Sequence, residues 1–228
     1  MIESKNITDD FQVSVYRKIQ LNIKYFFDFL ISFIGIVVLS PLYLCITVFL
    51  KISMPGPIFF RQRRVGKDGK EFDILKFRSM KVDKRAEETL DFSKDSERLT
   101  TFGKFLRRTK LDETAQLFNV LSGKMSLVGP RPTVMQQVEK YSDFQRHRLD
   151  VRPGMTGLAQ VNGNTALSWN ERIIYDVNYV MNYSLWLDIK ILFKTVFIVL
   201  FGEEKFCKKP SFPKKKAVDN IPKSEVLK

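Results

Sequence analysis

The chain has 228 residues, enough for one domain with appendages and a real hydrophobic core. Its 38 Lys and Arg against 25 Asp and Glu give a formal net charge of +13, which calls for an anionic partner: nucleic acid, a lipid surface or a phosphorylated substrate. A single histidine, His147, and two distant cysteines, Cys45 and Cys207, exclude a zinc site, a Ser-His-Asp triad and a disulfide framework. The thiols read as free in a reducing compartment, and any metal would be a hard, oxygen-bound ion such as Mg2+.

Residues 1–24 make a polar, interfacial N-terminal segment, of which residues 1–16 are expected to be loosely ordered or to lie on a surface. From Tyr25 to Leu50 the chain reads YFFDFLISFIGIVVLSPLYLCITVFL, with Asp28 its only charge. As one straight helix this is about 39 Å long at ~1.5 Å per residue, against a bilayer core of ~30 Å. Ser40-Pro41 interrupts the run. Pro41 removes a helix hydrogen bond and crowds the carbonyl of Val37, leaving arms of ~24 Å and ~15 Å that each fall short of a crossing. Both flanks are cationic (Arg17, Lys18 and Lys24 before; Lys51, Arg61, Arg63 and Arg64 after), which suits a re-entrant helix with both ends in the cytosol. A Pro-kinked span satisfies the same composition, so residues 25–52 are a membrane element of either kind. Asp28, near the first boundary, reaches the headgroup zone in either case.

The following segments read as strand, turn and strand, with Asp68-Gly69 at the turn. GKDGK is too short for a phosphate-binding loop and sits in a hairpin rather than before a helix. Residues 81–100 are charged and turn-rich, with a short helix expected around 84–90. TTFGKFLRRTK is a basic amphipathic helix that suits either a membrane surface or the domain core. Residues 112–121 carry Ala115, Leu117, Phe118 and Leu121 at helical spacing, closed by Gly123. Residues 133–149 and 168–182 read as helices, and RPGMTGLAQVNG between them as loop and short strand. SLWLDIKILFKTVFIVLFG is apolar enough for a second membrane-contacting helix, held at the interface by Asp188, Lys190 and Lys194. Residues 203–228 form a basic, Pro-rich tail expected to be disordered.

Charged residues gather in KFRSM (76–80), LDE (111–113), GPRP (129–132) and RPGMTG (152–157). An Arg in a Pro/Gly frame is held by a stiff backbone, and its planar fork matches two phosphate oxygens. Asp112 and Glu113 at a helix start could simply complement the partial positive charge there. These strings, in this order behind an apolar helix with a Ser-Pro break, resemble the small monotopic bacterial sugar transferases, which are polyprenol-phosphate phosphoglycosyl transferases. The resemblance runs from about residue 18 to 202. Many members have Leu-Pro after the acidic pair, where this chain has Thr114-Ala115; the acids themselves are kept. Larger members carry additional membrane spans and a further domain, and the likeness here is to the catalytic unit alone.

The resemblance implies transfer of sugar-1-phosphate from a UDP-sugar to undecaprenyl phosphate with release of UMP. This step initiates capsule, exopolysaccharide or glycoconjugate assembly. It implies a covalent phosphosugar on Asp112, with Glu113 aiding, Mg2+ at Asp112 and Glu113, and phosphate contacts from Lys76, Arg78, Arg131 and Arg152. It also favours a re-entrant break at Ser40-Pro41, at the inner membrane, with the catalytic part (residues 53–202) on the cytosolic face. A further copy of the chain and the next glycosyltransferases are the protein partners such a reading admits. The predicted fold class is α+β, mostly helical, with a re-entrant membrane helix, a small β-hairpin and interfacial amphipathic helices. A carboxylate with a reference pKa of ~3.9 is already ionised at neutral pH, so Asp112 needs no general base. Adjacent helical residues point about 100° apart, so both acids meet one site only if one sits in a frayed first turn. The competing reading is a non-enzymatic basic membrane-surface adaptor. Nucleic-acid binding is set aside because it leaves the apolar helix unexplained.

Overall fold

The computed structural model describes residues 3–54, 56–81 and 98–202, with side chains of the first helix described from Tyr16 onward. The helix expected around 84–90 and the tail from 203 lie outside the described residues.

Helix α1 (Glu3–Ser53) takes in residues expected to be loosely ordered and continues through Pro41. Pro41 has no N–H to offer the Val37 carbonyl, and the Ser40 hydroxyl donates to that carbonyl at 2.7 Å instead. The Ser-Pro pair therefore removes one helix bond and supplies its replacement. Lys24, Asp28, Ser32, Tyr43, Ile46 and Leu50 are buried, with Ile36 and Leu39 partly buried between them. Steps of three and four place these residues on one stripe, while Phe26, Phe29, Phe33, Val37, Leu44 and Val48 stay exposed on the rest of the surface.

Strands β1 (Phe59–Val65) and β2 (Glu71–Phe77) form the expected antiparallel hairpin. Its turn uses positive φ at Asp68 and Gly69. Helix α2 (Thr101–Arg108) is capped by the Thr100 side chain. Gly103 lies against the Ser79 backbone, where a Cβ would overlap the carbonyl. Leu106 is fully buried while Phe105 is exposed, so α2 has both a core face and an outer apolar face.

The expected helix over 112–121 resolves into a 310 turn, Leu111–Gln116, followed by α3 (Leu117–Leu121). Thr114 O receives the Leu117 N–H in the tighter 310 register and also the Tyr43 hydroxyl at 3.0 Å. A bond from α1 thus helps fix the tighter winding. Gly123 ends α3 at φ +72°, as its position predicts.

Strand β3 (Ser126–Val128) pairs in parallel with β4 (Gly154–Thr156). Residues 133–149 are not one helix but α4 (Met135–Val138), α5 (Asp143–Arg146) and a 310 turn (His147–Leu149). Ser142 breaks the run by capping α5 in a reciprocal box with Gln145. Helix α6 (Leu158–Val161) follows β4. The predicted helix near 168–182 is α7 (Trp169–Met181), started by a Ser168–Glu171 capping box. Helix α8 (Leu185–Phe201) completes the domain.

The central core joins Phe72, Ile74, Val120, Met125, Val128, Tyr179, Val180 and Ile191. A second core clamps the C-terminal half of α1 (Tyr43, Ile46, Leu50) onto Phe77, Leu106 and Ala115. Asp28 does not reach outward as expected. It is buried, accepting from Ser126 Oγ (2.6 Å) and Leu127 N (3.2 Å). Asp188 is likewise drawn inside, accepting from Lys24 Nζ (2.6 Å) and the Tyr179 hydroxyl (2.7 Å), rather than holding α8 at an interface. The outer face of α8 exposes Trp186, Ile189, Phe193, Val196 and Leu200. With the apolar surface of α1, this amounts to far more exposed hydrocarbon than water-facing proteins carry, so the molecule associates with a membrane.

Candidate active site

The two acids occupy the start of the 310 turn, entered through Lys110 in the left-handed region (φ 59°). The winding sends them different ways. Glu113 lines a cavity of about 410 Å3, and Asp112 is buried with its Oδ1 lacking any hydrogen-bond partner.

Glu113 Oε1 accepts from Lys76 Nζ at 2.7 Å and from Arg131 at 3.0 Å. Lys76 comes from β2, and Arg131 from the Gly-Pro-Arg-Pro turn after β3. Burial alone would raise the Glu113 carboxyl, but the Arg131 and Lys76 charges and hydrogen bonds outweigh it and hold the group at about 2. Burial, then the neighbouring Glu113 charge, raises Asp112; Lys76, Arg107 and Lys110 pull the other way.

Cations dominate the cavity wall, with Arg64, Lys110, Arg131, Arg148 and Arg172 against Glu113 and Asp176. Burial, then the nearby Arg131 charge, lowers the Arg64 guanidinium. An anionic ligand would relieve the excess of positive charge.

Of the residues singled out in the sequence, the structure brings Glu113, Lys76 and Arg131 into direct contact and sets Asp112 beside Glu113. Arg78 is buried at the end of α1, where its guanidinium donates to Met54 O and fills the space over Gly56. Arg152 stacks its guanidinium on the Tyr25 ring, 3.9 Å from the centroid, and its backbone N–H donates to the Tyr25 hydroxyl. The sequence reading missed Arg107, whose Nε donates to Ser79 Oγ at 3.0 Å and whose charge acts on Asp112. It also missed the cavity wall made by α6 and α7. The Arg107 signal was faint, a basic residue in the last turn of a short helix.

Among the described residues no three His, Cys, Asp or Glu side chains gather as a metal cluster. Asp112, with its unpartnered Oδ1, and Glu113, held by Lys76 and Arg131, are the carboxylates of the site. Mg2+ is commonly held through one or two carboxylates, with substrate phosphates and water completing its shell, and the unpartnered Asp112 Oδ1 is the oxygen here that such an ion could use.

The site thus sets a Glu held by Lys76 and Arg131, with a buried Asp beside it, at a cation-rich cavity in a protein with an extensive exposed apolar surface. The chain belongs to the bacterial sugar transferase family, whose model matches residues 19–202. It is 46% identical over 182 residues to the UDP-glucose:undecaprenyl-phosphate glucose-1-phosphate transferase of Xanthomonas campestris pv. campestris, covering 76% of this chain and 38% of that protein. It is 43% identical over 190 residues to the undecaprenyl-phosphate galactose phosphotransferase of Salmonella typhimurium (76% and 40%). To the exopolysaccharide production protein ExoY of Sinorhizobium fredii it is 40% identical over 185 residues (75% and 82%). The chain thus spans about two fifths of the length of the first two relatives.

Proposed function

We propose that the protein transfers sugar-1-phosphate from a UDP-sugar to undecaprenyl phosphate, releasing UMP and initiating exopolysaccharide, capsule or other glycoconjugate assembly. One observation carries the reading: a buried Asp with an unpaired acceptor oxygen adjoins a Glu that Lys76 and Arg131 hold at the edge of a cation-rich cavity. The names of the relatives supply the substrate class.

In this reading Asp112 attacks the sugar-bearing phosphorus of the donor. The bond from that phosphorus to the bridging oxygen breaks, and UMP departs with the oxygen. A phosphate oxygen of undecaprenyl phosphate then attacks the same phosphorus, and the Asp112 carboxylate leaves. Arg131, Lys76 and Lys110 offset the repulsion between the carboxylate and the diphosphate and take up charge on the departing UMP. Arg107 does the same on the Asp112 side. Arg78 and Arg152 act at one remove, Arg78 at the junction of α1 with the hairpin and Arg152 against Tyr25. Asp112 and Glu113 would hold Mg2+, which when bound neutralises phosphate charge as a Lewis acid.

The helix α1 is proposed to enter the membrane without crossing it, leaving the domain on the cytosolic face. A crossing needs about 20 residues free of polar structure. Domain contacts instead recur along α1: Arg17 to Val180 O, Lys24 to Asp188, Asp28 to Ser126, Gly35 under Leu117, Tyr43 to Thr114 O, and Leu50 in the second core. Burying all of α1 in lipid would drag α3, β3 and α8 in with it. A basic adaptor would require neither the orphan Asp112 oxygen nor the cavity.

The test is UMP release from a panel of UDP-sugars by the full chain in vesicles containing undecaprenyl phosphate. One donor should be consumed, in an acceptor-dependent manner. No release from any donor would overturn the reading in favour of the adaptor.

A further inference from the structure

One wall of the cavity is not used by the chemistry above. It is built by α6, the 310 turn Asn164–Ala166 and α7 as far as Asp176, and it includes Gln160, Trp169 and Asp176. Two acceptors in this wall, Asp176 Oδ1 and Gln160 Oε1, are buried and lack hydrogen-bond partners. Neither side chain is loose. Asp176 Oδ2 takes the Arg148 guanidinium at 2.6 Å, and Gln160 Nε2 donates to Met155 O at 3.0 Å. Because the amide nitrogen must face that carbonyl, the amide oxygen faces away from it. Arg148 lies over the Tyr141 and Trp169 rings, 5.6 and 5.4 Å from their centroids, and also donates to Arg131 O at 3.1 Å. The wall is therefore joined to the residue that grips Glu113.

Buried polar atoms are almost always paired, so two buried, unpaired acceptors on residues of one cavity wall call for a ligand that brings donors. Burial pushes the Asp176 carboxyl up to about 6 even with Arg148 beside it, which a donor at the open oxygen would counter. We propose that Asp176 and Gln160 form a hydroxyl-accepting subsite for adjacent hydroxyls of the nucleotide-sugar donor, with Trp169 presenting its ring to the C–H face of the sugar. The assignment rests on the donor class proposed above. Adjacent carbohydrate hydroxyls supply two rotatable O–H donors for two acceptors. The uracil edge does not, because its one N–H is flanked by two carbonyl oxygens, which would set like against like. The hexose and the ribose of the donor both carry such hydroxyls.

The experiment compares the wild type, Gln160→Met and Asp176→Asn, each as the full chain in vesicles with undecaprenyl phosphate. Substrates are the best UDP-sugar of the panel, its monodeoxy hexose analogues, and its 2′-deoxy and 3′-deoxyribose analogues. Each variant should raise KM for the parent donor about ten-fold and change kcat less than about two-fold, the size of one lost hydrogen bond. One deoxy analogue should suffer a similar loss with the wild type and no further loss with the variant that removed its acceptor. If that analogue is a hexose, the subsite reads the transferred sugar; if it is a ribose, it reads the nucleoside. A merely structural Asp176 would lower kcat or stability without this coupling. If Asp176→Asn does not fold by thermal melting, Gln160→Met carries the test alone. Deoxy analogues that lose equally with wild type and variants at every position would overturn the subsite. A wild type that uses no UDP-sugar would overturn the donor reading and the subsite with it.

Discussion

Two clusters of charge lie inside this molecule, and they are built to different ends. The first joins Lys24, Asp28 and Asp188, with Ser126, Leu127 N and Tyr179 completing its hydrogen bonds. Its charged members are all nearly inaccessible, and it ties α1 to β3, α7 and α8. The second joins Lys76, Glu113 and Arg131 beside Asp112. It keeps an acceptor unpaired, opens onto a cavity and has more cations around it than acids. A closed, partnered cluster fixes one arrangement of chain segments. An open cluster with surplus positive charge leaves work for a ligand. Residue type alone does not separate them, since each contains Lys and carboxylates; the satisfaction of their bonds does.

The two clusters should differ most at Asp112. Asp112→Asn should lower UMP release by about 10^3-fold or more while melting temperature and membrane association stay near wild type, because the change removes the nucleophile and keeps its shape. Lys24→Met should do the reverse. Removing one partner of a buried pair leaves Asp188 and Asp28 uncompensated, at a cost of about 3–5 kcal/mol of stability, read by thermal or denaturant unfolding. A Lys24→Met protein as stable as wild type would show that the first cluster is not a structural lock. Arg131→Lys keeps the charge but loses the planar fork, and should raise the barrier by ~1–3 kcal/mol, read as kcat/KM for the preferred donor.

The smallest effect is in pH. Glu113 has its folded pKa lowered to about 2 from an ordinary 4.5, so its contribution to stability is present above about pH 4.5 and lost as pH falls towards 2. Comparing wild type with Glu113→Gln across that window should reveal a difference in pH slope on the order of 1 kcal/mol, after allowance for screening at a partly open site. Parallel slopes would mean that Lys76 and Arg131 do not hold Glu113 in solution.

Local features were legible in the sequence because local chemistry sets them. The hairpin follows from Asp68-Gly69, the end of α3 from Gly123, the start of α7 from Ser168 and Glu171, and the long apolar helix from composition. Glu113 and Arg131 were legible as site residues, Arg131 through its stiff Gly-Pro-Arg-Pro frame, but their ion pair was not. What the sequence did not disclose depends on distant partners. Asp28 and Asp188 looked like interface anchors because Lys24 and Asp188 are 164 residues apart and nothing local announces their bond. The 310 winding at the acids depends in part on the Tyr43 hydroxyl, 71 residues away. Residues 133–149 kept helical spacing overall, yet Ser142 starts a new helix within them. Lys24, Asp28 and Ser32 at four-residue steps on an apolar helix were the available hint that one face of α1 is turned inward.

The central claim is that the open cluster forms a covalent bond through Asp112. The most direct measurement is intact and peptide mass spectrometry of the full chain after incubation with its preferred UDP-sugar in vesicles lacking undecaprenyl phosphate. A single added sugar-phosphate is expected, mapped to Asp112, with one UMP released per adduct, and loss of that mass when undecaprenyl phosphate is supplied. An adduct on another residue, or acceptor-dependent UMP release by Asp112→Asn at the wild-type rate, would contradict it.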